Sequence, residues 1–444
     1  MIDLGDLGGR SIAAVRSGPT RVLLSALALI GAKVATMGFG FVAWIIAARL
    51  HPPAEVGIAS AAVSAVTLCA QFALIGVGSA VITLAPRYRE QPGRLLDTAV
   101  SVVSLSALSV GLLFLLLAGT ALQELRVVAL DPVYAVLFLT LAIGGTLGVL
   151  FDQASTARRR GDQALVRGAA AGIATLVTLV VLGAAGGSRG IFAAWVVGAG
   201  LVTSLLGLWT MTRAIRGYRP APRLEVPLGG ELVRVGFPNY LLTLTERAPG
   251  FVLPIVVTEV LSPADNAAWY IAWMMAWVVF IVPIQVGMTS FAEIAAAPGG
   301  SWPIVRNGIG TSLAVGAVGA LGLAVLADPV LRLVGADYAD AGVMPLRILL
   351  VGVVPMTIVQ AFFSLCRARH RLRGAIVLGS LSSVASIVLP AAVGPAGGLG
   401  AMALAWLAVQ AVTAAVALVG LRRAVGREAA GAYEGDASEA SPAG

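Results

Sequence analysis

Apolar runs long enough to cross a membrane alternate with short polar connectors along almost the whole chain. A helical span needs about 20 apolar residues, at about 1.5 Å rise each. The pattern predicts about twelve spans, over roughly 22–49, 55–85, 96–120, 131–156, 163–185, 190–214, 236–261, 265–296, 306–327, 341–366, 372–393 and 398–421. The fold class is therefore an all-α polytopic membrane protein. The second and eighth runs are too long for one straight span. Each is expected to kink or tilt, near Gly76-Val77-Gly78 and near Pro283. Pro254, Pro355 and Pro390 also fall inside spans, where neighbouring helices satisfy the freed backbone groups.

The connectors set the expected orientation. Arg87, Arg89 and Arg94 follow span two, and Arg158-Arg159-Arg160 follow span four. Arg213, Arg216, Arg219 and Arg223 follow span six. Arg306 follows span eight, Arg367, Arg369, Arg371 and Arg373 follow span ten, and Arg422, Arg423 and Arg427 follow span twelve. The alternate connectors, such as Leu261–Asp265, are short and poor in arginine. Even-numbered spans are thus expected to end in the cytoplasm, with both termini on that side of a bacterial inner membrane. The longest connector divides the chain into a segment 1–21, a six-helix lobe 22–214, an inter-lobe loop 215–235, a second lobe 236–425 and a disordered tail 426–444. Pro53-Ala54-Glu55 is echoed by Pro263-Ala264-Asp265, and Val77-Gly78 by Val286-Gly287. Two halves of like orientation imply a pseudo-twofold axis along the membrane normal, with a site between them.

Composition agrees. Of 444 residues, 58% are hydrophobic and 12% charged, against about 25% charged in soluble domains. The formal charge of +8 is almost wholly arginine and sits in the connectors, which argues against nucleic-acid binding. Cys69 and Cys366 form neither a disulfide framework nor a metal spacing. The basic start, Arg10, Arg16 and Arg21, runs straight into a full-length span, so that span is expected to remain as an uncleaved anchor. Ala, Gly, Val and Arg richness suggests a GC-rich bacterial genome.

Against this apolar background, three charges stand at mid-span. The only lysine, Lys33, lies roughly 16 Å along the first span. Glu246 and Arg247 lie midway along the seventh. A charge at mid-bilayer depth costs roughly 2.5–3.5 kcal/mol on insertion scales and marks a functional position by default. Lys33, Thr36 and Gly40 share one helix face, as do Asn239, Thr243, Glu246 and Gly250 with Arg247 at the edge. Polar stripes also run along Ser60, Ser64, Thr67 and Gln71, along Gln285, Thr289 and Glu293, and along Thr357, Gln360 and Ser364. The functional reading is a hydrophilic cavity in which Lys33 and Arg247 hold a phosphate or pyrophosphate. Thr36, Gln71, Asn239, Thr243, Gln285 and Gln360 complete that substrate site, and Glu246 and Glu293 are the candidates for proton or ion coupling. Other readings stay open: the hydroxyls and amides glue helices together, Glu246 neutralises Arg247 or Lys33, or Lys33 snorkels.

Trp269, Trp273 and Trp277 line one face of the eighth span, as a glycan-stacking wall or as a packing or lipid-facing surface. Asp152, next to the triple arginine, reads as one half of a surface ion pair. His51 and His370 lie near span ends, and no His/Asp/Glu cluster has metal spacing. No phosphate-cradling glycine loop and no Ser/His/Asp set supports nucleotide hydrolysis or covalent catalysis, so neither an enzyme nor a cofactor is expected.

The stretch Ala47-Ala48-Arg49-Leu50-His51-Pro52-Pro53-Ala54-Glu55-Val56-Gly57 resembles the A-R-x-L-G-P-x-x-x-G turn of polysaccharide transporters, the Wzx-like oligosaccharide flippases of the MATE/MOP superfamily. Leu74–Ala80 is similar to their G-L-G-x-A element, and the second-half turn near Leu261-Ser262-Pro263 and Tyr270 fits. His51 stands where the family usually has glycine. The resemblance covers about residues 20–425. It implies two six-helix lobes in a V, alternating access, and outward transfer of a polyprenyl-pyrophosphate-linked oligosaccharide for cell-surface polysaccharide assembly. The expected partners are that lipid-linked substrate, membrane lipids, and the polymerase and glycosyltransferases of the same assembly. A proton- or sodium-coupled exporter of small amphiphiles is the rival, and a non-transporting scaffold of a synthase complex the third reading.

Overall fold

The computed structural model describes residues 37–439 other than 159, 216 and 297–300, with side chains described except at 182–185, 238–239 and beyond 424. These residues are almost wholly helical, and no strand occurs among them. The helices are α1 Met37–Leu50, α2 Pro53–Leu74, α3 Val77–Leu84, α4 Pro92–Ala121, the short α5 Arg126–Leu130, and α6 Pro132–Ala157. Then come α7 Gly161–Thr178, α8 Ala184–Trp195 and α9 Thr203–Ala214, joined by π-helical turns Leu179–Gly183 and Val196–Val202. The last six are α10 Val226–Val260, α11 Pro263–Ala296, α12 Trp302–Val334, α13 Ala336–Val351, α14 Val353–Ala368 and α15 Leu372–Glu439.

Nine helical stretches among the described residues are long and apolar enough to cross a membrane, and α13 with α14, bent by 41°, makes a tenth. One of the nine, Leu372–Ala424, has 53 residues and would be about 80 Å long if straight, more than twice the roughly 30 Å hydrocarbon core. It is not straight. Gly398 adopts φ 61° and ψ −160°. Across it, Gln410 donates to the Ser386 hydroxyl at 3.0 Å and the Thr413 and Ser382 hydroxyls meet at 2.9 Å. Both pairs lie at matched distances from Gly398, the signature of an antiparallel hairpin. With α1 as the described end of the first predicted span, these stretches account for the twelve expected. Helical backbone in α15 continues to Glu439, into the stretch that the sequence suggests is a disordered tail.

Local chemistry explains the starts. Proline stands at the first or second position of α2, α4, α6, α11 and α12, where a missing N–H costs nothing. Asp131 caps α6, accepting from the Val133 and Tyr134 N–H groups at 2.9 and 3.3 Å. Ser262 and Asp265 form a reciprocal box at the head of α11: the hydroxyl donates at 2.6 Å and accepts the Asp265 N–H at 3.0 Å. The predicted break in the second span falls at Ile75 and Gly76, both left-handed, and divides α2 from α3.

The two halves repeat their element starts. Pro53 and Pro263 are 210 residues apart, as are Pro92 and Trp302. Gly161 and Leu372, and the hairpin glycines Gly187 and Gly398, are 211 apart. A near-constant offset over four landmarks marks an internal duplication of which the sequence shows only short echoes.

By contacts, the chain forms two units. One comprises the described residues to Pro52 with Ala62–Tyr240; the other comprises Pro53–Ala61 with Leu241 onward. α2 and α10 therefore each begin in one unit and end in the other. The first unit packs Leu74, Val77, Leu84, Leu96, Phe151 and Leu232 in its core. The second holds Leu242, Phe363 and Ala417 in one cluster and Ile294, Val305 and Leu365 in another.

The connector after α9 is shorter than the predicted 215–235, because α10 starts at Val226. Pro227 pre-sets its first turn, while Leu228 and Leu232 are buried one turn apart. The residues before it are strapped down. Tyr218 donates to Asp97 at 2.6 Å, the Ala221 N–H reaches the same oxygen at 3.3 Å, and Arg94 grips Glu225 at 2.7 and 2.9 Å. Burial and the bond to Asp97 push the Tyr218 hydroxyl up, so it stays a donor. The Arg94 hydrogen bond holds the Glu225 carboxyl below its ordinary 4.5. A depressed carboxylate stabilises fully above its ordinary value and loses that contribution as pH falls through the folded one. The strap is expected to stay protected near neutral pH and to loosen in acid below 4.5. Hydrogen exchange over residues 217–225, corrected for its intrinsic pH dependence, checks this, and equal protection at both extremes would count against the pair.

Candidate functional site

A buried ion pair in the second unit's interior joins α10 to α14. Glu246 Oε2 accepts from Arg367 Nη2 at 3.0 Å, with side-chain exposures of 16% and 14%. The helix α14 runs to Ala368, so Arg367 belongs to its last turn. The Gln360 side chain also lies within hydrogen-bonding reach of the Glu246 carboxylate, whose Oε1 is buried.

Glu246 lines a cavity of about 60 Å³ inside the second unit. Trp273, Trp277, Phe280 and Trp406 form its aromatic wall, and Gln360, Ser382, Ser383, Ser386, Gln410 and Thr413 supply polar groups. Trp273 meets Trp406 edge-on at 5.3 Å and 82°, and Phe280 stacks on Trp406 at 5.7 Å and 26°. α10 comes close enough because Gly250 faces Trp273: a Cβ there would lie 3.1 Å from the indole nitrogen. Gly379 does the same for Thr245, at 2.6 Å. The arrangement combines a charge-neutral pair, flat apolar faces, amides and hydroxyls. Among the described residues no three His, Cys, Asp or Glu side chains gather where a metal would be held.

The structure brings together some of the predicted site residues. Glu246 and Gln360 share the cavity, with Gly250 beside them. Arg247 is exposed on α10 next to Glu246. Gln71 is buried elsewhere, where its backbone and side-chain oxygens both take the Tyr240 hydroxyl. Gln285, Thr289 and Glu293 are exposed along α11, and the Thr289 hydroxyl bonds back to Val286 O at 2.9 Å. Thr243 is half-buried and does not line the cavity. Lys33, Thr36 and the Asn239 side chain lie outside the described residues. The tenth-span stripe divides between roles. The Ser364 hydroxyl lies 2.7 Å from both the Gly287 and Gln360 carbonyls, gluing α14 to α11, while Gln360 faces the cavity. The tryptophan stripe is interior: Trp269 and Trp273 are buried and stack at 5.9 Å.

Asp152 is half of an ion pair with Arg167, and the pair is only half at the surface, Arg167 being 1% exposed and Asp152 52%. Arg160 pairs with Asp162 at 2.7 Å. Arg367 is a site residue that the sequence reading assigned to a basic connector. Its signal is spacing: Gln360, Ser364 and Arg367 follow i, i+4, i+7 on one helix face. Ser382, Ser383, Ser386, Gln410 and Thr413 were also missed, as small polar residues inside apolar runs.

Comparison with known proteins places the fold. A family model described as polysaccharide biosynthesis protein matches residues 22–273. No curated protein sequence matches the chain. A structure of the lipid II flippase MurJ in an inward closed conformation is 14% identical, with 90% of this chain and 87% of that chain covered and a TM-score of 0.70. An inward-facing multidrug resistance MATE transporter of the MOP superfamily is 15% identical, with 89% and 95% covered and a TM-score of 0.66. A MOP superfamily transporter from Pyrococcus furiosus, described by the reverse polarity of its binding pocket, is 14% identical, with 92% and 96% covered and a TM-score of 0.59. The shared feature is the multi-pass MOP-type helical fold.

Proposed function

The chain belongs to the polysaccharide biosynthesis protein family, and on that footing we propose that it is a flippase moving a polyprenyl-pyrophosphate-linked oligosaccharide across the bacterial cytoplasmic membrane. In this reading both termini are cytoplasmic, the prenyl tail stays in lipid, and the polar head crosses through the protein. Lys33 and Arg247 hold the pyrophosphate, and Thr36, Gln71, Asn239, Thr243, Gln285 and Gln360 solvate the glycan. The observation that carries it is the polar, ion-paired interior around Glu246 in a unit otherwise built of apolar helices. Such groups are expensive in a membrane protein and are kept for polar cargo. The chain acts without covalent chemistry, alongside the polymerase and glycosyltransferases that make and use its substrate.

The test is leaflet exchange of a fluorescent polyprenyl-pyrophosphate glycan in liposomes containing the purified protein. Lys33→Ala and Arg247→Ala are each expected to slow exchange about 10- to 100-fold, since a hydrogen bond to a charged group is worth about 1.5–3 kcal/mol. Full activity in both variants would remove the cationic site. No exchange by the wild type would remove the substrate class. A second reading, a proton- or sodium-coupled exporter of small amphiphiles, draws on Glu246 and the exposed Glu293 as coupling groups. It predicts transport of dye-like cations that stops when the ion gradient is collapsed.

A further inference from the structure

We propose that the exposed Arg371 and Arg373, at the turn between α14 and α15, hold the phosphate of an anionic phospholipid headgroup. Neither residue lines the cavity beside Glu246, and the site requires only the membrane-spanning fold, not the flippase reading.

The chain makes this turn twice. α6 ends at Ala157 and α7 starts at Gly161; α14 ends at Ala368 and α15 starts at Leu372. In the first copy the Arg158 and Arg160 N–H groups donate to the Ala154 and Ser155 carbonyls at 3.3 and 2.9 Å. In the second, the Arg369 and Arg371 N–H groups donate to the Leu365 and Cys366 carbonyls at 3.0 and 2.9 Å. The backbone repeats, but the charges do not. Arg160 grips both oxygens of Asp162, Nε to Oδ1 at 2.9 Å and Nη2 to Oδ2 at 2.7 Å. Arg371 stands in the place of Arg160, and Arg373 in the place of Asp162. Where the first copy has a carboxylate, the second has another guanidinium. Arg373 also lies in the first turn of α15, where a cation meets the positive end of the helix dipole. The surrounding chain supplies no counter-charge. No Asp or Glu occurs between Asp340 and Glu428, and neither arginine forms an ion pair among the described residues. The apolar cluster of Ile294, Val305, Leu365 and Leu421 brings more arginine to this end, since Arg306 follows Val305 and Arg422 follows Leu421. Glu293 adjoins the cluster too, exposed and without an ion pair among the described residues. Location then selects the ligand. The turn joins two stretches long and apolar enough to cross a membrane, so it stands at a bilayer face, cytoplasmic in the orientation proposed above. The abundant anion there is the lipid phosphate, and guanidinium forks match its oxygens as they match a carboxylate. Phosphatidylglycerol leaves that phosphate without a cation of its own, whereas phosphatidylcholine carries one.

The experiment is native mass spectrometry of the purified full chain in detergent, titrated with phosphatidylglycerol or phosphatidylcholine. Wild type is expected to bind its first phosphatidylglycerol about tenfold more tightly than phosphatidylcholine. Arg373→Asp, which gives the second turn the charges of the first, is expected to weaken phosphatidylglycerol binding about tenfold and leave phosphatidylcholine unchanged. Asp162→Arg, the reverse exchange, is expected to add a bound phosphatidylglycerol. Arg89→Asp, a charge reversal at another exposed arginine, is the control for net charge and should change binding by less than about twofold. Equal binding of the two lipids by wild type overturns the site. So does undiminished phosphatidylglycerol binding in Arg373→Asp, no gain in Asp162→Arg, or an equal loss in Arg89→Asp. Displacement of the lipid by inorganic phosphate at the same concentration assigns a soluble anion and overturns the lipid.

Discussion

Replacing Arg367 with leucine is expected to destabilise the protein by about 3–5 kcal/mol, the usual loss when one member of a buried ion pair is removed and the other charge is stranded. Glu246 would lose the charged donor to its Oε2 and keep only the neutral Gln360 side chain beside it. The doubly substituted Glu246→Leu, Arg367→Leu chain is expected to recover most of that stability, because an apolar pair of similar volume removes the uncompensated charge. Melting in detergent, arranged as a double-mutant cycle, measures the coupling. A single Arg367→Leu chain that melts like wild type would mean that the pair is solvated and carries no interior role. Stability and activity should separate in the double variant: a firm fold around a cavity that no longer offers an acceptor.

Gly57→Val is expected to prevent accumulation of folded protein. A Cβ at Gly57 would sit 1.6 Å from the Pro263 carbonyl oxygen and 2.4 Å from its carbon. Those are backbone atoms, so no rotamer change relieves the clash. The same approach lets Asn266 donate to Gly57 O at 2.9 Å and Ser60 Oγ at 3.0 Å, bonds that a displaced α2 would lose. Overpacking in a core usually costs about 1–3 kcal/mol; a backbone collision with loss of two buried hydrogen bonds belongs beyond that range. The control is Gly310→Ala in α12, where nothing lies within 4 Å of the added carbon. That change is expected to be neutral or stabilising by a few tenths to about 1 kcal/mol. Fluorescence-detected gel filtration of the two variants decides. A monodisperse Gly57→Val chain at wild-type levels would show that the seam gives way.

The spans were legible because membrane length and apolarity are a local, one-dimensional signal. The same is true of the prolines and the Ser262 box at their heads. The start of α10 was not, since Gly229, Gly230, Glu231 and Arg234 make its first turns too polar for a span. An amphipathic turn that buries only Leu228 and Leu232 has no hydropathy peak to find. Glu246 could be picked out, because a lone carboxylate in an apolar run stands out against its neighbours. Its partner could not. Arg367 sits among four arginines within seven residues, and only the extent of α14 tells which of them is inside. Pairing of Asp152 with Arg167 was hidden for a related reason: the two are far apart in sequence, and only the turn between α6 and α7 brings residue 167 alongside residue 152. The tryptophan stripe was visible as a stripe, but which way it faced depends on packing against Trp406 and Phe280.

The constant offset between the halves makes the chain its own control. Subtracting one half from the other cancels whatever the shared architecture requires and leaves what only one half does. At an offset of 210, Glu246 corresponds to Thr36, Trp273 to Val63, Trp277 to Thr67 and Phe280 to Ala70. At 211, Arg367 corresponds to Thr156, while Trp406 corresponds to Trp195. The tryptophan that survives subtraction is scaffold by this measure. The carboxylate, its arginine and most of the aromatic wall are asymmetric additions, specialised in one copy after the duplication, and the lone lysine, opposite Thr243, is the other copy's own departure.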